Sequence, residues 1–313
     1  MKENAILLGP FVGELYWEAG RFAPMLPYMI RNGNKNKDIK YIILTREERF
    51  DLYGKFADIL VPLRIPGDYD TKKPNCFRLN GLKPPDYLKI AEDFYAKYRD
   101  RFHIIKHIYP NVTKGKFVNK NQYPSKKMCY EFQPRQENYD IVNSYLPKNE
   151  KPLVVLAPRF RTGFKRNWNY WPDFYDRVFN DKELMRDFNF IVCGKKGEYI
   201  PDEKKRFLDL NDMKIGETSS LVGLLLVVME NSFFTFGSQS AIPNISLLYN
   251  KEVLEFGCQQ KLHTKTYNVK NTPITFIDNR QYDIPPKKIF PLFKNLLEKK
   301  RRKENATNKK SMD

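Results

Sequence analysis

Leu153-Val-Val-Leu-Ala-Pro158, Phe190-Ile-Val-Cys-Gly194, Phe233-Phe-Thr-Phe-Gly-Ser238 and Val253-Leu-Glu-Phe256 recur along residues 151–257, and their reading decides the fold. Each is a short, nearly unbroken apolar run, the pattern of a strand covered on both faces. Helical patterns lie between them. Tyr170–Phe179 carries Pro172 in its first turn, where the missing N–H costs nothing. Ser219 and Ser220 stand before the apolar run Leu221–Met229, and Ser238 or Gln239 opens Ala241–Tyr249. Strand and helix in alternation predict a parallel, doubly wound sheet rather than a bundle or a sandwich.

In such a sheet, ligands gather at the carboxyl ends of the strands, where loops and helix N-termini present backbone N–H groups. Here the first strand runs into Arg159, Arg161, Lys165 and Arg166, the second into Gly194-Lys195, the third into Ser238-Gln239-Ser240. Guanidinium forks and N–H donors at these ends suit phosphate, and a nucleotide is the expected carrier. Trp168 and Trp171 either stack on its base or pack beneath the loop.

The N-terminal half repeats the grammar more weakly. Ala5-Ile-Leu-Leu-Gly9 is a strand entering the glycine turn Gly9-Pro-Phe-Val-Gly13, with Glu14 next. A helix kinked by Pro24 and Pro27 is predicted over Trp17–Ile30. Tyr41–Thr45 and Ile59–Pro62 read as strands with a helical stretch, Arg46–Phe56, between them, and Pro85–Asp100 reads as an amphipathic helix. Leu146-Pro-Lys-Asn-Glu-Lys-Pro152 has the polar, proline-flanked composition of a linker. Two α/β Rossmann-like, doubly wound domains facing a central cleft are the expected architecture.

At 313 residues, with 41% hydrophobic and 14% aromatic content, the chain can fill two cores. No apolar run approaches the ~20 residues of a membrane span, and no secretion signal is expected at the start, where a short apolar run meets Glu14 and Glu18 with no cleavage-like site. Cys76, Cys129, Cys193 and Cys258 form no CxxC pair, so neither disulfides nor a zinc site is expected, and a reducing cytoplasm is the expected compartment. The formal net charge is +18. Residues 294–313, with Lys299-Lys-Arg-Arg-Lys303, read as a basic, disordered tail. Residues 101–130 contain no acid, and Phe102, Tyr109, Phe117, Tyr123 and Tyr130 are interleaved among the lysines, a composition that attracts polyanions or forms a solvated loop.

The strand, glycine-polar turn and small-residue helix at Phe236-Gly-Ser-Gln-Ser-Ala-Ile-Pro-Asn-Ile-Ser-Leu-Leu-Tyr249, followed by Val253–Phe256, resembles the donor-binding half of two-domain, GT-B-type glycosyltransferases. In particular it is similar to the lipopolysaccharide heptosyltransferases (ADP-heptose transferases). The likeness implies a nucleotide-sugar co-substrate, with no further cofactor. It assigns residues 1–148 to an acceptor-side domain and 151–293 to a donor-binding one. It also implies that Gly13-Glu14 occupies the place of that family's catalytic acid, usually Asp, and that Arg159 and Arg161 hold donor phosphates. Ser238-Gln239-Ser240 departs from the acidic residue and threonine common there.

The chemistry is arguable from the residues as well. Inverting glycosyl transfer needs a base for the acceptor hydroxyl and positive charge for the leaving diphosphate. With His103, His107 and His263 the only imidazoles, a carboxylate is the expected base: Glu14 first, Glu18 in reserve. The alternative for Glu14 is a helix cap. Arg159, Arg161, Lys165 and Arg166 supply the charge, with Gly194, Lys195, Ser238, Gln239 and Ser240 on the same rim. Gly13, Trp17 and Arg21 near the acidic turn, and Lys114 and Lys116 in the basic stretch, are candidate acceptor contacts. No metal is expected: the triplet Asp68-Tyr-Asp70 lies in a Pro/Gly/Lys-rich loop. GxxxxGK[ST] and GxGxxG are both absent, which disfavours a P-loop kinase and a hydride-transfer enzyme. The basic body leaves open a polyanionic acceptor, DNA or an acidic glycan. The rival reading is a non-catalytic nucleic-acid-binding protein using residues 101–130.

Overall fold

The computed structural model describes residues 2–11, 15–32, 38–63, 84–109, 112–113, 116–117, 131–159, 167–194 and 207–310. The chain forms two compact units. The first takes Met1–Asn143 and Ile215–Val227, the second Ser144–Lys214 and Val228–Asp313. Both are α/β, built on parallel sheets.

In the first unit the strands β1 (Glu3–Leu8), β2 (Ile39–Thr45), β3 (Ile59–Pro62) and β4 (Phe102–Ile108) stand in the order β3-β2-β1-β4, every pair parallel. Two-residue strands β5 (Val112–Thr113) and β6 (Lys116–Phe117) pair antiparallel. The helix expected over Trp17–Ile30 is broken into α1 (Leu15–Trp17), a π-helical turn (Glu18–Phe22) and α2 (Met25–Asn32). The break falls at Ala23–Pro24, where Pro24 has no N–H to continue the ladder. Pro27 sits in the first turn of α2 and is tolerated there. Arg46–Phe56 is helical as two 3₁₀ turns, Glu47–Leu52 and Gly54–Phe56. α3 (Pro84–Arg99) buries the stripe Tyr87, Ala91, Phe94 and Tyr98 against Ala5, Leu7, Ile42 and Leu44. The basic stretch after residue 101 opens as sheet, not loop: β4 pairs with β1 and buries Phe102 and Ile108 at its two ends.

Asp51 explains why residues 215–227 belong to the first unit. Its carboxylate is fully buried and accepts from Arg135 Nε (3.0 Å) and Nη2 (2.9 Å), Asn138 Nδ2 (2.9 Å) and Ser220 Oγ (2.5 Å). Arg135 and Asn138 belong to the start of α4 (Gln136–Tyr145); Ser220 caps α7 (Leu221–Asn231), its Oγ accepting from Gly223 N at 2.9 Å. Gly223 is required by this closeness, since a Cβ there would lie 2.5 Å from both Asn138 Oδ1 and Asp51 Oδ2. Asp51→Ala is expected to lower stability by about 3 kcal/mol, because the buried Asn138 and Ser220 donors lose their carboxylate acceptor, while Arg135, 31% exposed, keeps part of its solvation. A lower urea midpoint at unchanged slope is the readout.

The second unit holds β7 (Leu153–Ala157), β8 (Asn189–Val192), β9 (Leu208–Asp209), β10 (Ser232–Ser238), β11 (Glu252–Gly257) and β12 (Ile274–Asp278), all parallel, in the order β12-β11-β10-β7-β8-β9. Counted from its own first strand this is the dinucleotide-fold order, reversing direction between β7 and β10. α5 (Trp171–Asn180) turns Trp171, Phe174, Tyr175 and Val178 inward at helical spacing. They join Trp168, Phe236, Phe256 and Phe293 in an aromatic core. A short α6 (Lys182–Asp187), capped by Asp181, follows, and α8 (Ala241–Leu248) covers β10 and β11.

The tail expected to be disordered is the second half of α9 (Pro286–Lys310). Ile289, Phe293 and Leu297 keep one buried stripe running through residue 294. Beyond it the cations hold to the unit: Lys294 to Asp181 (2.8 Å) and Glu183 (2.7 Å), Arg301 to Asp187 (2.5 Å), and Lys300 Nζ to the Phe233 carbonyl and over the Phe233 ring.

Candidate functional site

β7 and β10 are neighbours at the point where the strand order reverses, and their carboxyl ends carry Arg159 and Ser238-Gln239-Ser240. Arg159 Nη1 donates to the main-chain carbonyl of Gln239, so the guanidinium bridges the two strand ends. Gly237 lets this edge close: a Cβ on it would lie 2.8 Å from Ala157 Cβ and 3.0 Å from Pro243 Cγ, so β7, β10 and α8 meet only over glycine.

Around the bridge, buried polar atoms await partners. Ser238 Oγ and Asn244 Oδ1, on residues 0% and 2% exposed, and Ser240 Oγ at the N-cap of α8, accept or donate no hydrogen bond among the described residues. Buried hydroxyls and amides left so cost about 1–3 kcal/mol each, and such groups mark a place where a ligand or water completes the shell. The N–H groups at the start of α8 follow Ser240 directly in the chain.

Gln239 takes a different part from the one its sequence position suggests. Its side chain is turned inward. Its amide oxygen accepts from Cys258 N (3.0 Å) and Tyr282 OH (3.3 Å), while Nε2 donates to Gln259 Oε1. Its own N–H donates to Phe256 O at 2.9 Å. Gln239 therefore fastens the ends of β10 and β11, with Gly257 leaving it room: a Cβ there would lie 2.5 Å from Gln239 Oε1. Gly194 follows β8, its carbonyl accepting from Asn211 Nδ2 at 3.0 Å. Cys193 beside it is fully buried, and burial together with Asp209 pushes its thiol far above the ordinary range, leaving it protonated and inert.

Trp168 and Trp171 are both fully buried; Trp168 Nε1 donates to Ile284 O at 2.7 Å, and its ring packs on Phe256 at 5.0 Å. They form the core under the site rather than a stacking surface. Asn244, Gly257 and Tyr282 were missed by sequence reasoning. Asn244 stands one turn after Ser240, and Gly257 ends its strand as Gly194 does the second, so both carried a readable signal.

In the first unit, Gly9 ends β1 with φ of +109°, and a Cβ there would lie 2.1 Å from the Leu44 carbonyl oxygen. Gly13 and Glu14 lie outside the described residues, as do Arg161, Lys165, Arg166, Lys195, Lys114 and the Asp68-Tyr-Asp70 triplet. Trp17, Arg21 and Lys116 are placed on α1, the π-helical turn and β6, with their side chains outside the description. Glu18 is fully buried, and its carboxylate accepts from Arg49 Nη1 (2.6 Å), Tyr53 OH (2.8 Å) and Thr45 Oγ1. Burial and that carboxylate raise Tyr53 well above the ordinary tyrosine range, so it stays a donor. Three donors on a sealed carboxylate make Glu18 a structural group.

A hollow of about 540 Å³ lies at the opposite, amino-terminal edge of the second sheet. Lys251 and Lys300 line it beside Asn231 and Tyr249, where α7 and α8 end. Cations there answer the negative helix ends, which accounts for them without a ligand.

No family model matches this chain, and no curated protein matches it. Among solved structures, a glycosyl transferase family 9 protein from Veillonella parvula DSM 2008 is 9% identical over 95% of this chain and 97% of its own, at a TM-score of 0.55. The E. coli ADP-heptose LPS heptosyltransferase II is 9% identical over 95% and 99%, at 0.57. At that identity the likeness is one of fold, and it extends over both units. The class of the molecule is therefore an α/β protein with the fold of these glycosyltransferases.

Proposed function

We propose that the chain is a glycosyltransferase that moves a sugar from a nucleotide-sugar donor to an acceptor hydroxyl, with inversion and without a metal. The observation that carries this reading is the Arg159 bridge across the strand-order reversal, with the orphaned Ser238, Ser240 and Asn244 atoms around it. In this mechanism Glu14 takes the proton from the acceptor hydroxyl as that oxygen attacks the anomeric carbon. The bond from that carbon to the diphosphate oxygen breaks, and the charge left on the diphosphate falls to Arg159, Arg161, Lys165 and Arg166. Ser238 and Ser240 hydroxyls and the α8 N–H groups take phosphate oxygens beside them. The net charge of +18 favours an acceptor that itself bears negative charge.

Thermal shift with UDP-, GDP-, ADP-, CMP- and dTDP-sugars, with and without EDTA, tests the reading. A ligand at 100 times its dissociation constant adds roughly 2.7 kcal/mol. Stabilisation by one nucleotide class, unchanged by EDTA, is expected. Arg159→Ala is expected to weaken that response and lower kcat/KM by about a hundredfold. No response to any nucleotide, alongside salt-sensitive binding to DNA or RNA, would move the assignment to a nucleic-acid-binding protein.

A further inference from the structure

A groove of about 400 Å³ runs between α3 and the end of β4 in the first unit. Three rings follow one another along it. Tyr95 and His107 lie within 20° of parallel, centroids 6.2 Å apart, and His107 meets Tyr109 at 4.6 Å. Ala91, one turn before Tyr95, and Ala96, next to it in the chain, line the groove with small side chains. Glu92 and Arg99 stand at the rim, and Tyr95 is 40% exposed.

The imidazole is held fixed. Its Nε2 stands 2.8 Å from the Gly9 carbonyl oxygen. A carbonyl only accepts, so Nε2 carries the proton. Burial holds the ring below the ordinary histidine range and therefore neutral, which leaves Nδ1 as an acceptor. The same contact ties the groove to the glycine turn that leads to Glu14.

A pyranose ring has an apolar C–H face and a girdle of hydroxyls. It fits flat aromatic faces flanked by a carboxylate that accepts and a guanidinium that donates. A nucleic-acid strand also stacks on aromatics, but it needs uncompensated cations to follow its phosphates. Here the lining carries one cation, Arg99, with one carboxylate, Glu92, and Arg99 Nε is paired with Asp100 at 4.0 Å. The groove therefore favours a neutral sugar over a nucleotide chain.

We propose that this groove is a carbohydrate subsite, holding one neutral pyranose unit of the acceptor against Tyr95 and Tyr109 with Glu92 and Arg99 on its hydroxyls. Its assignment to an acceptor rests on the transferase reading; sugar binding itself does not. Saturation-transfer NMR with the methyl glycosides of glucose, galactose, mannose, N-acetylglucosamine, rhamnose and fucose, with no donor present, tests it. At least one glycoside is expected to receive saturation on its ring C–H protons. Tyr95→Ala should reduce that by about tenfold, and Tyr95→Phe, which keeps the ring, should retain it. Equal saturation in Tyr95→Ala, or none with any glycoside, would overturn the proposal. Failure of the nucleotide panel with glycoside binding intact would remove the donor reading and leave the groove a sugar site.

Discussion

Glu14→Gln is expected to lower turnover by about two to four orders of magnitude while leaving nucleotide-sugar affinity and stability nearly unchanged. The amide is isosteric but cannot take the acceptor's proton, so the loss belongs to the chemical step. Removing an interaction used only in the transition state lowers kcat and kcat/KM together and spares donor binding. Steady-state kinetics beside a donor titration separate the two. Full activity in Glu14→Gln would remove the base assignment.

Glu18→Ala should behave in the reverse way. Arg49 and Glu18 side chains are 7% and 0% exposed, so deleting the carboxylate takes from a buried guanidinium its 2.6 Å ion-pair partner. Glu48, at 3.9 Å from Arg49 Nε and 36% exposed, is too distant and too solvated to replace it. Tyr53 and Thr45 lose an acceptor as well. A cost of about 3–5 kcal/mol is expected, a large share of a typical domain's stability. Chemical denaturation followed by circular dichroism measures it. Two acids four residues apart thus give opposite signatures, one in rate and one in folding.

The second unit was the more legible part of the chain. Its strands β7, β8, β10 and β11 are buried on both faces, and that demand writes itself into the sequence as unbroken apolar runs. β12 and the two-residue β9 were harder to read. Ile274–Asp278 is only half-buried, and its five residues form neither an unbroken apolar run nor a strict alternation. β4 was hidden by its lysine and histidines, since an edge strand need not be apolar on its open side. The basic end misled for a related reason. Composition registers the cations of α9, whereas Ile289, Phe293 and Leu297 act through spacing.

At the site, Arg159 and the serines were readable because strand ends are where a parallel sheet presents its ligand-binding groups. The inward turn of Gln239 was not. Whether an amide faces a ligand or a neighbouring strand depends on Cys258 N and Tyr282 OH, contacts that residue order does not reveal.

The membership of residues 215–227 in the first unit bears on how the protein is made. While residues 1–143 emerge from the ribosome, Asp51 and Asn138 are present but Ser220 has yet to be translated. The first unit must wait through the synthesis of residues 144–214, which belong elsewhere, before its last segment arrives. N-terminal domains ordinarily fold first during translation. Here that order is deferred, and a gene cut after residue 143 encodes an incomplete body rather than a separable half.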